Sequence, residues 1–183
     1  MKKKIFVVGP NKCGSISLHT FFKKNGYQSV HWKNGTLALK ILSNISSNLN
    51  PLNGLEKYDC FLDMFFITDG LYISPLALRD RIIKFYPNEI YIFNIRNYED
   101  WLKSRAKHGD GSLNARLRKT FNDSYDPISE YNGYKEILKY KLKYFHIFNL
   151  DEPKKFEKLS DFLINNGINI TDKTDVHEHK TTW

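Results

Sequence analysis

The stretch whose reading decides the fold is Lys4-Ile-Phe-Val-Val-Gly-Pro-Asn-Lys-Cys-Gly-Ser-Ile-Ser-Leu18. Its four apolar residues, Ile5 to Val8, predict a short buried strand. Gly9-Pro10 breaks the strand, a tight loop carrying Lys12 follows, and Ser15 opens a helix to Asn25. Leu18, Phe21 and Phe22 share one face of that helix, and Gly26 closes it. Strand, glycine-bounded loop and helix start together aim backbone N–H groups and the positive end of a helix at one point. That is how proteins hold phosphate or sulfate. A Walker A loop would read G-x-x-x-x-G-K-[ST]. Gly9 and Gly14 keep its spacing, but Ser15 and Ile16 follow Gly14, and the lysine lies inside the loop at position 12. A magnesium-bound triphosphate is therefore not the expected ligand.

Working outward, strand and helix signals alternate, which predicts an α/β fold: a three-layer sandwich around a central, mostly parallel sheet of about five strands. Strands are expected at Gln28–Trp32, Tyr58–Asp63, Glu89–Ile95 and Tyr144–Leu150. Helices are expected from Thr36 to Asn48, from the Ser74-Pro75 start to Tyr86, from an Asn97 cap to Lys107, over Tyr134–Lys143 and over Pro153–Asn166. Lys107 to Pro127 breaks the alternation and reads as a partly helical, mobile excursion. The tail from Ile168 to Trp183 has no regular period.

The 183 residues predict one domain spanning the chain. The net charge of +8 fits either a Lys/Asn-rich compositional bias or a field attracting an anionic ligand. Charge alone does not separate the two. Two cysteines, Cys13 and Cys60, suggest neither a disulfide scaffold nor a zinc site. The basic start, Met1 to Lys4, is followed by only four apolar residues, too few for a signal peptide, and no stretch reaches the length of a membrane span. A cytoplasmic protein without stable membrane insertion is expected, and no nucleic-acid recognition motif occurs.

Ligands of open α/β sheets bind outside the carboxyl ends of the strands. Three elements are expected to meet there: the loop after the first strand, Asp63 ending the third, and Ile95-Arg96-Asn97 ending the fourth. Ser104 lies eight residues beyond Arg96, a little over two helical turns, and the two suit a second phosphate. Here the chain resembles the sulfotransferase family. Gly9-Pro-Asn-Lys-Cys-Gly-Ser-Ile-Ser-Leu18 is similar to that family's P-loop-like 5′-phosphosulfate loop. Arg96-Asn-Tyr-Glu-Asp-Trp-Leu-Lys-Ser104 is similar to its 3′-phosphate motif, and Tyr86-Pro87 and Phe156-Glu-Lys-Leu-Ser-Asp-Phe-Leu163 resemble recurring family wording. The resemblance implies transfer of a sulfuryl group from 3′-phosphoadenosine 5′-phosphosulfate to an acceptor hydroxyl or amine, without a metal.

On that resemblance, the N–H groups of Cys13, Gly14, Ser15 and Ile16 and the hydroxyls of Ser15 and Ser17 would cradle the 5′-phosphate. Lys12 would stabilise charge growing on the leaving oxygen. Arg96 and Ser104 would take the 3′-phosphate, and Lys180, in a late basic segment, would join them. Family members commonly carry two consecutive hydroxyl residues after the loop glycine; here the second is Ile16. The acceptor's proton needs a general base, for which Asp63 is the first choice and His31 the second. Trp101 reads as core or as an edge over adenine. His177-Glu-His179 pairs two histidines with an acid, as metal ligands or as tail, and Arg116, Arg118 and Lys119 form either an acceptor-binding cluster or a solvated basic face. A carbohydrate hydroxyl is the expected acceptor, with a small metabolite or lipid headgroup next. The alternatives from other classes are an inactive bisphosphate- or nucleotide-binding P-loop protein and a small kinase.

Overall fold

The computed structural model describes residues 3–176. Its centre is a five-stranded, all-parallel sheet of β1 (Ile5–Val7), β2 (Ser29–His31), β3 (Cys60–Leu62), β6 (Ile90–Ile95) and β7 (Phe145–Asn149), in the order β2-β3-β1-β6-β7. β1 lies at the centre, with Ile5 opposite Cys60 on one side and Ile90 on the other. A parallel sheet is covered on both faces, so its inner strands β1 and β3 are apolar throughout. Ile5 and Val7 face a core built with Leu18, Phe21 and Phe22 of α1 (Ser15–Lys24) and Phe156, Leu159 and Leu163 of α7 (Lys155–Asn165). Phe6 and Val8 face the opposite core, with Leu37, Ala38 and Ile41 of α2 (Thr36–Ser46) and Leu78 and Ile82 of α3 (Pro75–Phe85). The expected α/β class and parallel sheet are present.

Two regions differ from the sequence expectation, and a third agrees with it. Residues 64–73, for which the sequence reading expects no element, contain a β-hairpin of β4 (Phe66–Thr68) and β5 (Leu71–Ile73), turning at Asp69-Gly70. After α4 (Tyr98–Ala106), the excursion is partly helical as expected, its helix being α5 (Ser112–Thr120). The helix expected over Tyr134–Lys143 is instead α6 (Pro127–Lys135) followed by a single 3₁₀ turn, Glu136–Lys139. Asp126 explains the earlier start: its carboxylate accepts from the N–H groups of Ile128 and Ser129, and Pro127 needs no donor in the first turn.

Residues 166–176 carry no regular element, yet they are fixed. Ile168, Ile170 and Val176 are buried against α1 and α7, and Asn25 Oδ1 accepts from the N–H groups of Thr171 and Asp172 at 2.8 Å each. Lys180 and the His177-Glu-His179 group lie outside the described residues. Because all five sheet strands run the same way, the loop after β1, His31, Asp63, Arg96 and Leu150 collect at one edge of the sheet.

Candidate functional site

The loop from Gly9 to Gly14 is held open from behind. Asn94, a polar residue buried in β6, accepts from the Gly9 N–H at 2.9 Å and donates to the Pro10 and Cys13 carbonyls at 3.2 Å each. The Trp101 indole N–H donates to the Asn11 carbonyl at 3.0 Å, and Arg96 Nη1 to the Lys12 carbonyl at 3.4 Å. Four successive carbonyls thus turn toward the protein. Among the described residues, no acceptor takes the N–H groups of Lys12, Cys13, Gly14, Ser15 or Ile16. Lys12 has a left-handed backbone (φ 63°), as does Gly14 (φ 81°). Gly9 permits the close approach to β6: a Cβ there would lie 2.0 Å from the Asn94 carbonyl oxygen. Cys13 lies beneath the loop with Trp101 and Tyr131, fully buried, and burial pushes its thiol far above the usual range. It is not a nucleophile. Trp101 is likewise core, and its role is to hold the loop.

In front of the loop opens a cavity of about 800 Å³. Lys12, Gly14, Ser15, Ile16, Ser17, His31, Asp63, Arg96 and Ser104 all line it. Cys13 does not line it: the residue is fully buried behind the loop with Trp101 and Tyr131. Arg96 Nε and Asp63 Oδ1 are buried without a hydrogen-bond partner, one wanting an acceptor and the other a donor. The Lys12 amine lies 3.3 Å from His108 Nδ1. Burial lowers its pKa, Asp63 opposes that shift and Arg96 adds to it. Burial, Lys12 and Arg105 likewise lower His108, so a neutral imidazole faces the lysine.

Asp63 sits one residue past β3 with φ 51°, and its carbonyl accepts from the Phe65 N–H at 2.7 Å in a tight turn. Burial raises its carboxyl to about 6, against the pull of Lys12. His31 Nε2 lies 3.0 Å from Ser15 Oγ and 3.6 Å from Asp63 Oδ2, and burial with His19 lowers its pKa to about 4. These three are not a nucleophilic triad. Serine and aspartate both approach Nε2, whereas a triad places the acid on the other ring nitrogen. At neutral pH the imidazole is uncharged, and Asp63 is the stronger base.

Several lining residues escaped the sequence reading. Lys155, at the start of α7, is 7% exposed and has no acid partner among the described residues. The burial is unusual for a lysine and puts a third cation beside Lys12 and Arg96. His108, Trp32, Leu113 and the hairpin residues Phe65, Phe66 and Ile67 complete much of the wall. The basic cluster of α5 divides: Arg116 lines this cavity, Arg118 a separate one of about 380 Å³, and Lys119 pairs with Asp69 on the surface. Among the described residues, no group of three or more His, Cys, Asp or Glu is placed to hold a metal, and no helix is long and apolar enough to cross a membrane. The fold and site define a parallel α/β protein with a cation-rich cavity at the strands' carboxyl edge. No protein-family model matches the chain, and no curated protein matches it.

Proposed function

We propose that the chain transfers a sulfuryl group from 3′-phosphoadenosine 5′-phosphosulfate to an acceptor hydroxyl. One observation carries the reading: Lys12, Gly14, Ser15 and Ile16, whose N–H groups have no acceptor among the described residues, line the same cavity as Arg96 and Ser104. Two anion-binding elements in one site suit a nucleotide bearing phosphates at two positions. The partnerless Arg96 Nε and Lys155 fit such a polyanion. The loop is then a phosphosulfate loop, with Ser15 and Ser17 beside its N–H groups, and Lys12 faces charge that develops on the departing phosphate oxygen.

The acceptor oxygen bonds to sulfur as the bond from sulfur to the 5′-phosphate oxygen breaks. The sulfate ester, the 3′,5′-bisphosphate and one proton are the products. Asp63 takes that proton, being ionised above about pH 6 and buried beside the loop. His31, uncharged, holds Ser15.

Thermal melting with the 3′,5′-bisphosphate, against ATP with magnesium, tests the donor. At a hundredfold excess over Kd, selective binding adds about 2.7 kcal/mol, which for a chain of this size raises Tm by roughly 5 to 10 °C. Stabilisation by ATP-magnesium alone would sink the reading. Arg96→Ala is expected to weaken the bisphosphate far more than AMP, equal losses meaning that Arg96 only supports the loop. Lys12→Ala should lose transfer beyond any loss of donor binding. Tight bisphosphate binding without turnover on any acceptor would favour a non-transferring nucleotide-binding protein.

A further inference from the structure

The cavity has two unlike halves. One carries Lys12, Arg96 and Lys155. The other is walled by the hairpin residues Phe65, Phe66 and Ile67 and by Leu113 of α5. Most of this second wall is a packing unit of its own: Phe65 packs with Leu113 and Leu117, and Ile67 joins them, in a core separate from the two that cover the sheet, while Phe66 packs against the α2–α3 side of the sheet. It also begins at the proposed base, since Phe65 follows Asp63 by two residues and is tied to it by the 2.7 Å N–H to carbonyl bond.

At the far end of this wall stands one cation. Arg116 lies three residues beyond Leu113, on the same side of α5 and one turn along. It has no ion-pair partner among the described residues. The nearest acid of the hairpin turn, Asp69, is engaged by Lys119. An apolar surface running from a carboxylate to an unpaired guanidinium has a definite complement: a molecule with a hydroxyl at one end, an apolar body, and negative charge at the other. A sugar matches it less well, because hydroxyls laid against Phe65, Phe66 and Leu113 would lose their water, although Asn34, His108 and Ser112 also line the cavity.

We propose that the acceptor is an alcohol or phenol with an apolar body and an anionic group, its hydroxyl at Asp63, its body on the hairpin and Leu113, and its anion at Arg116. The inference rests on the sulfuryl-transfer reading, which assigns the cationic half of the cavity to the donor. It differs from the carbohydrate expected from the sequence.

Calorimetric titration tests it with three probes: 4-hydroxyphenylacetate, its uncharged analogue 4-ethylphenol, and glucose. Each is titrated into wild type and Arg116→Ala, with and without the 3′,5′-bisphosphate. Arg116 is exposed, so its substitution should leave the melting temperature unchanged. The expected result is that 4-hydroxyphenylacetate binds wild type roughly tenfold more tightly than the variant. 4-Ethylphenol should bind both equally, and Phe66→Ser should weaken both phenols. Glucose binding more tightly than the phenols, or an equal effect of Arg116→Ala on charged and uncharged probes, would overturn the proposal. Failure of the bisphosphate to bind while the charged phenol retains its Arg116 dependence would remove the transfer reading and leave the ligand class standing. Bisphosphate binding with no phenol binding would do the reverse.

Discussion

At Asp63, chemistry and stability pull in opposite directions. Its carboxyl is raised from 3.8 to about 6, chiefly by burial, so the folded chain holds that proton more tightly than the unfolded one. The stabilisation from protonation is full at low pH and is lost as pH rises through about 6. His31 has the opposite sign. Lowered from 6.5 to about 4, it weakens the fold as pH falls from about 6.5 toward 4. The two slopes oppose each other over nearly the same window, so the wild type should show little net dependence from this pair. Asp63→Asn removes one slope and keeps a side chain that tolerates φ 51°. About two pH units at ~1.36 kcal/mol each predict a gain of up to roughly 3 kcal/mol at pH 7.5, vanishing near pH 4. Urea unfolding at the two pH values measures it. The same substitution should cut kcat at least a hundredfold, and wild-type activity should fall away below about pH 6. Wild-type kcat in the Asp63→Asn variant would remove Asp63 from the role of base.

One side chain of β6 gives the Gly9–Gly14 loop its shape. Asn94 serves a donor and two acceptors of the loop, all buried, and no apolar residue can replace those bonds. Asn94→Leu should cost about 3 to 5 kcal/mol in urea unfolding, because Gly9 N–H and two carbonyls lose their partners. Asn94→Asp can still accept from Gly9 but cannot donate to Pro10 and Cys13. It should lose bisphosphate affinity more completely than its melting temperature implies. Wild-type affinity in that variant would mean the loop's carbonyls need no anchoring. The sequence makes the loop legible through its glycines, and parallel strands bring Lys12, Asp63, Arg96 and His31 to one edge wherever the connections run. Asn94 is not legible as an anchor, because it interrupts an apolar strand with nothing local to say what it faces. The hairpin is different: the Asp69-Gly70 turn between short apolar runs is a readable signal, as are the Asp126 cap and Pro127. Lys155 could not be foreseen, since it reaches the cavity only once α7 has packed on the sheet.

Across the whole molecule, the non-sheet half is joined by one carboxylate. Glu130 of α6 pairs with Arg105 of α4 at 2.7 Å, and it also accepts from the hydroxyls of Tyr72 in β5 and Tyr125 before α6. Four segments that share no sheet thereby hold a fixed arrangement around Ser104 and the hairpin. Both members of the pair are buried, their side chains 3% and 8% exposed, and Arg105 Nη2 already lacks a partner. Replacing one member of such a pair leaves the other charge uncompensated, whereas replacing both by apolar residues is often neutral. Glu130→Gln should therefore lose about 3 to 5 kcal/mol, lowering Tm by roughly 10 °C or more. Arg105→Met with Glu130→Leu should recover much of that loss. The exposed Lys119–Asp69 pair is the control, where Asp69→Asn should change stability by less than about 1 kcal/mol. If Glu130 acts only as a local buried charge, the apolar double variant regains both stability and bisphosphate binding. If it orients the four segments, stability returns but binding does not, because Ser104 adjoins the altered Arg105 and the tyrosine hydroxyls have lost their acceptor. Calorimetric bisphosphate titration of the double variant separates these, and recovery of full affinity would end the case for Glu130 as the organising residue of this half.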